Sequence, residues 1–414
     1  MTSLSSDVCV VGAGPAGSAT AWALARAGAN VVLLDRARFP RDKACAEYLS
    51  PEASRILVAM DVLSAVEPHG SQLAGMRVRS PRGEWLHGEF AGSHGFRGFS
   101  ERGLAVRRTI LDTALLEAAH AAGARVIQGV RVGGITRDGG GRVCGIEAGG
   151  DPGATELRVS ARLVVGADGL RSIVARRTGV ARRFRWPSRL ALTAHYEGVA
   201  GLTDAGEMHV ERGGYFGLAP VGEVTNVAVV VPTTAGRAVA GDPGRFLQQW
   251  IEQRPHLRNR FVDARRLGPV RATGPFASRV TRAWTPGAAL VGDAADFYDP
   301  FTGEGIYAAL RGAELLSQLA LPALDDPRCE AETMRAYQRA RRREFAGKWA
   351  VERLVSIAVA RPALMNRLTA TLARRKDLAD LLVGVCGDFI PPRELLRPAF
   401  LLPLLLGGRA PAAA

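Results

Sequence analysis

The chain has 414 residues, 47% hydrophobic and 23% charged, and carries a formal net charge of +14. That balance excludes a disordered or collagen-like chain and supplies a large core without disulfides, so an α/β unit with an inserted piece, or two or three subdomains, is expected. Nearly all the positive charge is arginine, and between Arg328 and Arg409 basic residues outnumber acidic ones by 8, with no nucleic-acid recognition motif beside them.

Cys9, Cys45, Cys144, Cys329 and Cys386 form no C-x-x-C pair, and the 7 histidines show no metal-ligand spacing. Neither a disulfide framework nor a metal site is therefore expected, and a reducing, cytoplasmic setting fits. Residues 1–7 have no positive lead into an apolar stretch, so no secretory signal is read.

In chain order, Asp7-Val8-Cys9-Val10-Val11 predicts a strand, Gly12-Ala13-Gly14-Pro15-Ala16-Gly17 a tight turn, residues 18–27 a helix, and Asn30-Val31-Val32-Leu33-Leu34 a second strand ending in Asp35. Only in this order does G-x-G-x-x-G have physical meaning. Gly12 permits the turn, Gly14 lets a pyrophosphate reach the backbone, and Gly17 lets helix and strand close on each other. The N–H groups and the dipole at the helix start favour phosphate, with Ala16 in that first turn. Asp35, followed by Arg36, stands where a ribose hydroxyl would be bound.

Residues 76–80 and 85–90 predict strands, and 112–122 a helix. Leu163-Val164-Val165-Gly166-Ala167-Asp168-Gly169 is a further strand ending in a glycine turn, and Pro152-Gly153 marks a turn before it. Residues 189–279 alternate apolar and polar, predicting an antiparallel sheet that would roof the cofactor, with a helix at 246–254. Ala288-Ala289-Leu290-Val291-Gly292-Asp293 repeats the strand-to-acid pattern and leads through Pro300-Phe301-Thr302-Gly303-Glu304-Gly305 into a helix at 306–319. An acid at a strand end suits a polyol, and a glycine-rich helix start suits an anionic oxygen. Flavin has both. Residues 331–360 read as helix, and the Leu-rich run 395–406 followed by Gly407-Gly408-Arg409 is too short and Pro-broken to span a bilayer.

The three motifs in this order resemble the FAD-dependent monooxygenase superfamily with the para-hydroxybenzoate hydroxylase fold. Phe39-Pro40-Arg41-Asp42-Lys43-Ala44-Cys45-Ala46-Glu47-Tyr48-Leu49-Ser50-Pro51, Asp299-Pro300-Phe301-Thr302-Gly303-Glu304-Gly305-Ile306-Tyr307 and Arg108-Thr109-Ile110-Leu111-Asp112 resemble its geranylgeranyl reductase branch. Departures are Ala46 and Glu47 where the branch has glycines, no tryptophan in the stretch around Tyr215, and Asp296 where hydroxylases often have histidine.

The resemblance implies an α/β fold: a Rossmann-like FAD domain in three pieces (1–70, 103–180, 280–345), a discontinuous antiparallel-sheet substrate domain (71–102, 181–279) and a C-terminal helical segment (346–414). It implies pyrophosphate at Gly12, Gly14 and Gly17, adenosine ribose at Asp35, phosphate support at Asp168, the ribityl chain at Asp293, and the pyrimidine edge of the flavin at Gly303 to Gly305 beside Pro300. Arg108 would lie near the flavin. Cys45 and Glu47 are the candidate catalytic residues, a thiol beside the flavin and a proton donor or substrate-orienting group, against an inert thiol and a surface carboxylate. Lys43 reads as solvated, ahead of a phosphate or substrate contact. Tyr215, Phe216 and Pro220 are the candidate substrate pocket.

The expected activity is hydroxylation of a hydrophobic aromatic, polyketide-type substrate, ahead of alkene reduction in an isoprenoid chain. Halogenation would call for a W-x-W stretch, which is missing, and a flavin-free escort protein would not need the FAD motifs. No second strand–GxGxxG–helix unit occurs, so either NAD(P)H binds transiently as reductant or another protein supplies the electrons. The partner expected is a small hydrophobic substrate, with no nucleic acid; the basic, Leu-rich tail is expected to pack on the protein, with shallow membrane contact as the alternative. The oligomeric state is left open.

Overall fold

A computed structural model describes residues 2–149, 156–183, 186 and 188–406. The expected Pro152-Gly153 turn and Gly407-Gly408-Arg409 lie outside them.

The first layer is built on five parallel strands. Thr2–Val11 is flanked by Val31–Asp35 on one side and Leu157–Gly166 on the other, with Arg125–Gln128 and Ala288–Leu290 beyond. Val8 to Val11, Val31 to Leu34 and Leu163 to Val165 are near-continuous apolar runs because both faces of the parallel sheet are covered. The helices Pro15–Arg26, Arg108–Ala121 and Gly305–Asp325 pack together in this layer, with Pro15–Arg26 in contact with the other two. An antiparallel ribbon, Arg131–Arg137 and Val143–Gly149, extends from Leu157–Gly166.

Strand register places the sequence motifs. Val11 pairs with both Leu34 and Gly166, and Gly166 pairs with Leu290. The four glycine- or acid-bearing turns therefore leave one edge of the sheet side by side. The chain runs in opposite directions away from Thr2–Val11, and a crevice opens at such a reversal of strand order.

The second layer is a seven-stranded sheet in the order Arg265–Thr273, Arg189–Glu197, Val224–Pro232, Gly214–Val221, Ala205–Glu211, Gly75–Arg79, Trp85–Glu89. Only Ala205–Glu211 and Gly75–Arg79 run parallel. One face carries Leu192, Ala194, Phe216, Leu218, Val227 and Val229 and is closed by the helices Pro243–Glu252 and Pro255–Arg258. The opposite face looks towards the first layer. Tyr48–Leu49, Gly103–Ala105 and Ser71–Leu73 form a small separate sheet between the layers.

The end of the chain is part of the fold. Glu330–Val359 is one helix of 30 residues, so the expected domain boundary at 345 falls inside a continuous element. Pro362–Arg374 and Lys376–Cys386 then cover the edge strand Trp85–Glu89. Asp380 accepts a hydrogen bond from the Glu89 N–H at 2.9 Å, and a side chain at Gly88 would lie 2.5 Å from the Ala379 carbonyl. A helix over an exposed strand edge blocks pairing with a second sheet. No described helix is long and apolar enough to cross a membrane.

Candidate active site

A cavity lies between the two layers at the strand ends. Of the expected cofactor residues, Gly14, Ala16, Arg108, Asp293, Pro300, Gly303 and Gly305 all line it. Gly12, Gly17, Asp35 and Asp168 stand behind this surface and shape it.

Gly12 has a φ of +99°, and a Cβ there would sit 2.5 Å from the Ala167 carbonyl oxygen. A Cβ on Gly17 would lie 1.7 Å from the Gly12 oxygen. Both positions exclude any side chain. Gly14 is different: its nearest group is the Arg41 guanidinium, 3.6 Å from an added Cβ, so the space beside it is open and faces a cation. Asp35 accepts hydrogen bonds from the N–H groups of Ala13 and Ala37, each at 2.7 Å. Its carboxylate thus holds the fingerprint turn against the second strand and keeps further lone pairs for a ribose. Arg36, next to it, is exposed. Asp168 accepts from the Ile173 N–H at 2.6 Å with one oxygen, while the other is buried with no hydrogen-bond partner. Burial pushes the Asp168 carboxyl up.

Cations converge above the fingerprint helix. Arg108 holds Asp112 through two hydrogen bonds of 2.8 and 2.7 Å, and Arg41 reaches the same carboxylate at 3.0 Å. Lys43, read from sequence as solvated, instead reaches the cavity beside Asp293. Protein surrounds it even though its surface is open to the cavity. Burial, and then the Arg108 charge, holds its ammonium below the ordinary lysine value; burial raises the Asp293 carboxyl. Three cations against Asp112 and Asp293, beside a helix N-terminus, suit a diphosphate. The steric cradle, the orphaned Asp168 oxygen and this charge set all fit the dinucleotide moiety of FAD.

The other end of the cavity is shaped by Gly303 and Gly305. Gly303 has a φ of +76°, and a side chain there would strike the Tyr48 ring at 2.7 Å. The helix Gly305–Asp325 begins at once, so its free N–H groups point at whatever anionic edge lies in the cavity.

Two buried polar junctions tie the sheet to the cofactor layer. The first centres on Glu47, which is fully buried and not a surface carboxylate. It accepts from the Arg108 N–H at 2.9 Å and the Asn226 side chain at 2.9 Å, and it is hydrogen-bonded to His195 Nε2 at 2.7 Å. His195 and Asn226 are register partners on adjacent strands, so both reach the same carboxylate. Glu47 also adopts a φ of 61°, the conformation a glycine takes freely. At a position where the resembling branch has glycine, the carboxylate's bonds hold the backbone in glycine's shape. Cys45 lines the cavity, and its sulfur accepts from the Glu47 N–H at 3.3 Å.

The second junction centres on Asp299. It accepts from the Tyr215 hydroxyl at 2.8 Å, the Phe301 N–H at 3.1 Å and Arg189 Nη1 at 2.6 Å. Burial, then Asp299, pushes the Tyr215 phenol well up, so it stays a donor. Tyr215 lines the cavity as expected. Phe216 and Pro220 do not. Strand residues alternate between faces, so Tyr215, Gly217 and Ala219 look into the cavity while Phe216 is buried against the helices beyond the sheet. Sequence reasoning ranked Lys43 as solvated ahead of a phosphate or substrate contact, and missed Asn226 and His195. The strand alternation that would have placed the last two on Tyr215's face was visible, but not the register.

The remaining walls are apolar, with Leu73, Met76, Ala191, Met208, Val230 and Phe276 prominent.

Comparison with known proteins agrees with this geometry. The pattern of the family described as an FAD binding domain matches residues 5–349. Digeranylgeranylglycerophospholipid reductase 2 of Methanopyrus kandleri is 31% identical over 400 residues, covering 92% of this chain and 93% of the relative. Among solved structures, the myxobacterial chondrochloren halogenase superposes with a TM-score of 0.78 at 24% identity, over 98% of this chain and 90% of that one. A geranylgeranyl bacteriochlorophyll reductase-like protein of Thermoplasma acidophilum superposes with a TM-score of 0.69 at 22% identity, over 98% of this chain and 96% of that one. At those identities the structural likeness speaks to the fold alone.

Proposed function

This chain belongs to the FAD binding domain family and is an FAD-dependent oxidoreductase; we propose that it reduces carbon–carbon double bonds in the isoprenoid chain of a lipid. The observation that carries this reading is the likeness over nearly the whole chain to an enzyme named for reducing a digeranylgeranyl phospholipid. The apolar cavity walls support it, since a prenyl chain offers no groups for polar recognition. Hydroxylation of an aromatic ring, favoured by the sequence, has no relative of comparable coverage among those described above.

When bound and reduced, flavin supplies the hydride. The protein positions the alkene and supplies the proton that completes the addition. Glu47 is engaged by three partners and serves to position, not to donate. The Tyr215 hydroxyl is committed to Asp299 and contributes its ring as a wall. Cys45, on the cavity surface beside Arg108, is the proton donor in this reading. A reduced nicotinamide is the transient two-electron donor.

An isoprenoid lipid must reach the cavity from a bilayer. Leu354, Leu396 and Leu402 are each about half exposed near the end of the described chain, and Arg393 and Arg397 are exposed beside Leu396. In this reading the leucines enter the interface of an anionic membrane and the arginines meet its headgroups.

The test is anaerobic incubation of reduced protein with a geranylgeranyl lipid, followed by mass spectrometry. Gain of two hydrogens per turnover supports the reading. No gain, together with oxygen insertion into an aromatic substrate in air, overturns it and restores hydroxylation. Sedimentation with anionic liposomes tests the membrane contact: failure of the intact protein to bind, or equal binding by Leu396→Asp/Leu402→Asp, overturns that part.

A further inference from the structure

Behind the Gly303–Gly305 turn lies a second set of ionisable side chains that neither the cofactor cradle nor the proposed reaction uses. Glu304 stands between two cavity-lining glycines, but its own side chain does not line the cavity. It turns into the protein, 5% exposed, with Oε2 3.8 Å from Lys348 Nζ. Lys348, on the helix Glu330–Val359, also ion-pairs with Asp388, whose side chain is wholly buried. The ammonium stands 4.2 Å from the centre of the Tyr307 ring. Glu352, partly exposed as a residue but with its Oε2 buried, follows one turn along the same helix, close enough for Glu304 and Lys348 to act on its charge. The Oε2 atoms of Glu304 and Glu352 are both buried without a hydrogen-bond partner.

The neighbouring charges are otherwise matched. Arg341 holds Asp296 at 2.6 Å, Arg189 holds Asp299 at 2.6 Å, and Arg311 holds Glu344 at 3.2 Å. Arg353 lies over the Tyr298 ring. Tyr48, Tyr307 and Cys386 complete the surroundings, and burial pushes each of these acids up, so they stay neutral. Among the described residues and these ion pairs, one ammonium therefore faces three carboxyl groups, Glu304, Asp388 and Glu352. Three carboxylates would leave two uncompensated charges in the interior, and a buried unpaired charge costs several kcal/mol. Binding a proton is the less costly state. Burial raises Glu304, and raises Glu352 well above the usual carboxylate range, while it lowers Lys348.

We propose that Glu304, Glu352 and Asp388, gathered around Lys348, form a buried proton store that takes up a proton when the flavin is reduced and releases it on reoxidation. The proposal rests on FAD binding and not on the identity of the substrate. With FAD held as the resemblance implies, its pyrimidine edge at the Gly303–Gly305 turn, two electrons and one proton would leave one negative charge at that edge. That charge lies on the other side of a single turn of backbone from Glu304. In a protein interior, charges roughly 10 Å apart shift each other's pKa by about one unit. The second proton, drawn from solvent, then goes to a carboxylate of the store, so the interior keeps its net charge as the two electrons arrive. On reoxidation both protons leave with the electrons. Glu304 is a positioning residue in this scheme, acting on the flavin's potential and not on the substrate.

The experiment is spectroelectrochemistry of the holoprotein with mediator dyes, without substrate, at a series of pH values around neutrality. The electrode is the two-electron donor. The slope of midpoint potential against pH reads protons per two electrons, and the visible spectrum reads whether the reduced flavin is anionic or neutral. With an anionic reduced flavin, the wild type should take up about two protons per two electrons, one more than the flavin itself holds. Glu304→Gln/Glu352→Gln, which keeps shape, should fall to about one proton with the same anionic spectrum. Uptake of only one proton by the wild type, a neutral reduced flavin that accounts for the second, or an unchanged slope in the variant would each overturn the proposal. Should the variant fail to fold, the reduced-minus-oxidised infrared spectrum of the wild type decides. A gained carboxylic-acid carbonyl band that shifts in heavy water supports the store, and its absence refutes it.

Discussion

The cofactor cradle and the substrate sheet meet across one cavity but are built by different means. The cradle is made of backbone. Gly12 and Gly17 act through the side chains they lack, Gly14 through the space it leaves, and Asp35 through two N–H groups within the same βαβ unit. The sheet is made of side chains whose direction depends on strand alternation and on partners far away in sequence. Glu47 finds His195 148 residues on, and Arg189 finds Asp299 110 residues on. Damage to the cradle should therefore remove the cofactor from a folded protein, whereas damage to the junctions should loosen the whole assembly.

The largest expected effect tests the first half of that contrast. Gly17→Val forces a side chain into the Gly12 carbonyl, 1.7 Å from its Cβ, and FAD affinity should fall by about a hundredfold or more. The ratio of flavin to protein absorbance after gel filtration measures it. Full flavin content in this variant would show that the fingerprint does not hold the cofactor.

Next come neighbouring residues on opposite faces of one strand. Phe216→Ala should lower the unfolding free energy by about 3–4 kcal/mol and leave the KM for an apolar substrate unchanged. Tyr215→Phe should cost about 1 kcal/mol, the hydroxyl's bond to Asp299. Denaturant titration measures both, and equal losses would contradict the assigned faces.

Glu47→Ala removes the acceptor for Arg108, His195 and Asn226 and should destabilise by about 2–3 kcal/mol. Glu47→Gln keeps one acceptor and should recover part of this. A neutral effect of the alanine would mean that the junction does not hold the layers together.

The smallest effect concerns pH. Burial, and then Arg79, push His256 at the rim of the sheet down to about 4. Its folded value lies below its unfolded value of 6.5, so this contribution to stability is complete above that pH and is lost as pH falls towards 4. His256→Gln should make the unfolding free energy less steep across that window, by about 1–2 kcal/mol, with part of the shift discounted because the ring is partly exposed. The same slope in both proteins would mean that His256 does not carry the acid sensitivity.

The cradle was legible because its constraints are local. A strand, a glycine turn, a helix and an acid must occur in that order, and each glycine is required by an approach that the neighbouring twenty residues create. Cys45, Tyr215, Asp293 and Gly303 were legible as residues of interest for similar reasons, through short motifs or alternation. Phe216 and Pro220 were misplaced because alternation says that neighbours face opposite ways without saying which way is inward. Lys43 reads as an ordinary lysine until Asp293 and Arg108 are brought beside it.

By itself, then, the sequence determined the dinucleotide fingerprint, the α/β class, the strands of the roof and the helical end of the chain, because these follow from side-chain periodicity and from backbone conformations that few residues adopt. Only the tertiary structure decided that Glu47 is a buried junction in a glycine's conformation, that the C-terminal helices seal a sheet edge, and that Lys348 gathers three carboxyl groups behind the flavin turn. Those outcomes depend on register and burial. Both are set by contacts between segments far apart in the chain, and burial alone turns an ordinary surface charge into a group that must be paired or protonated.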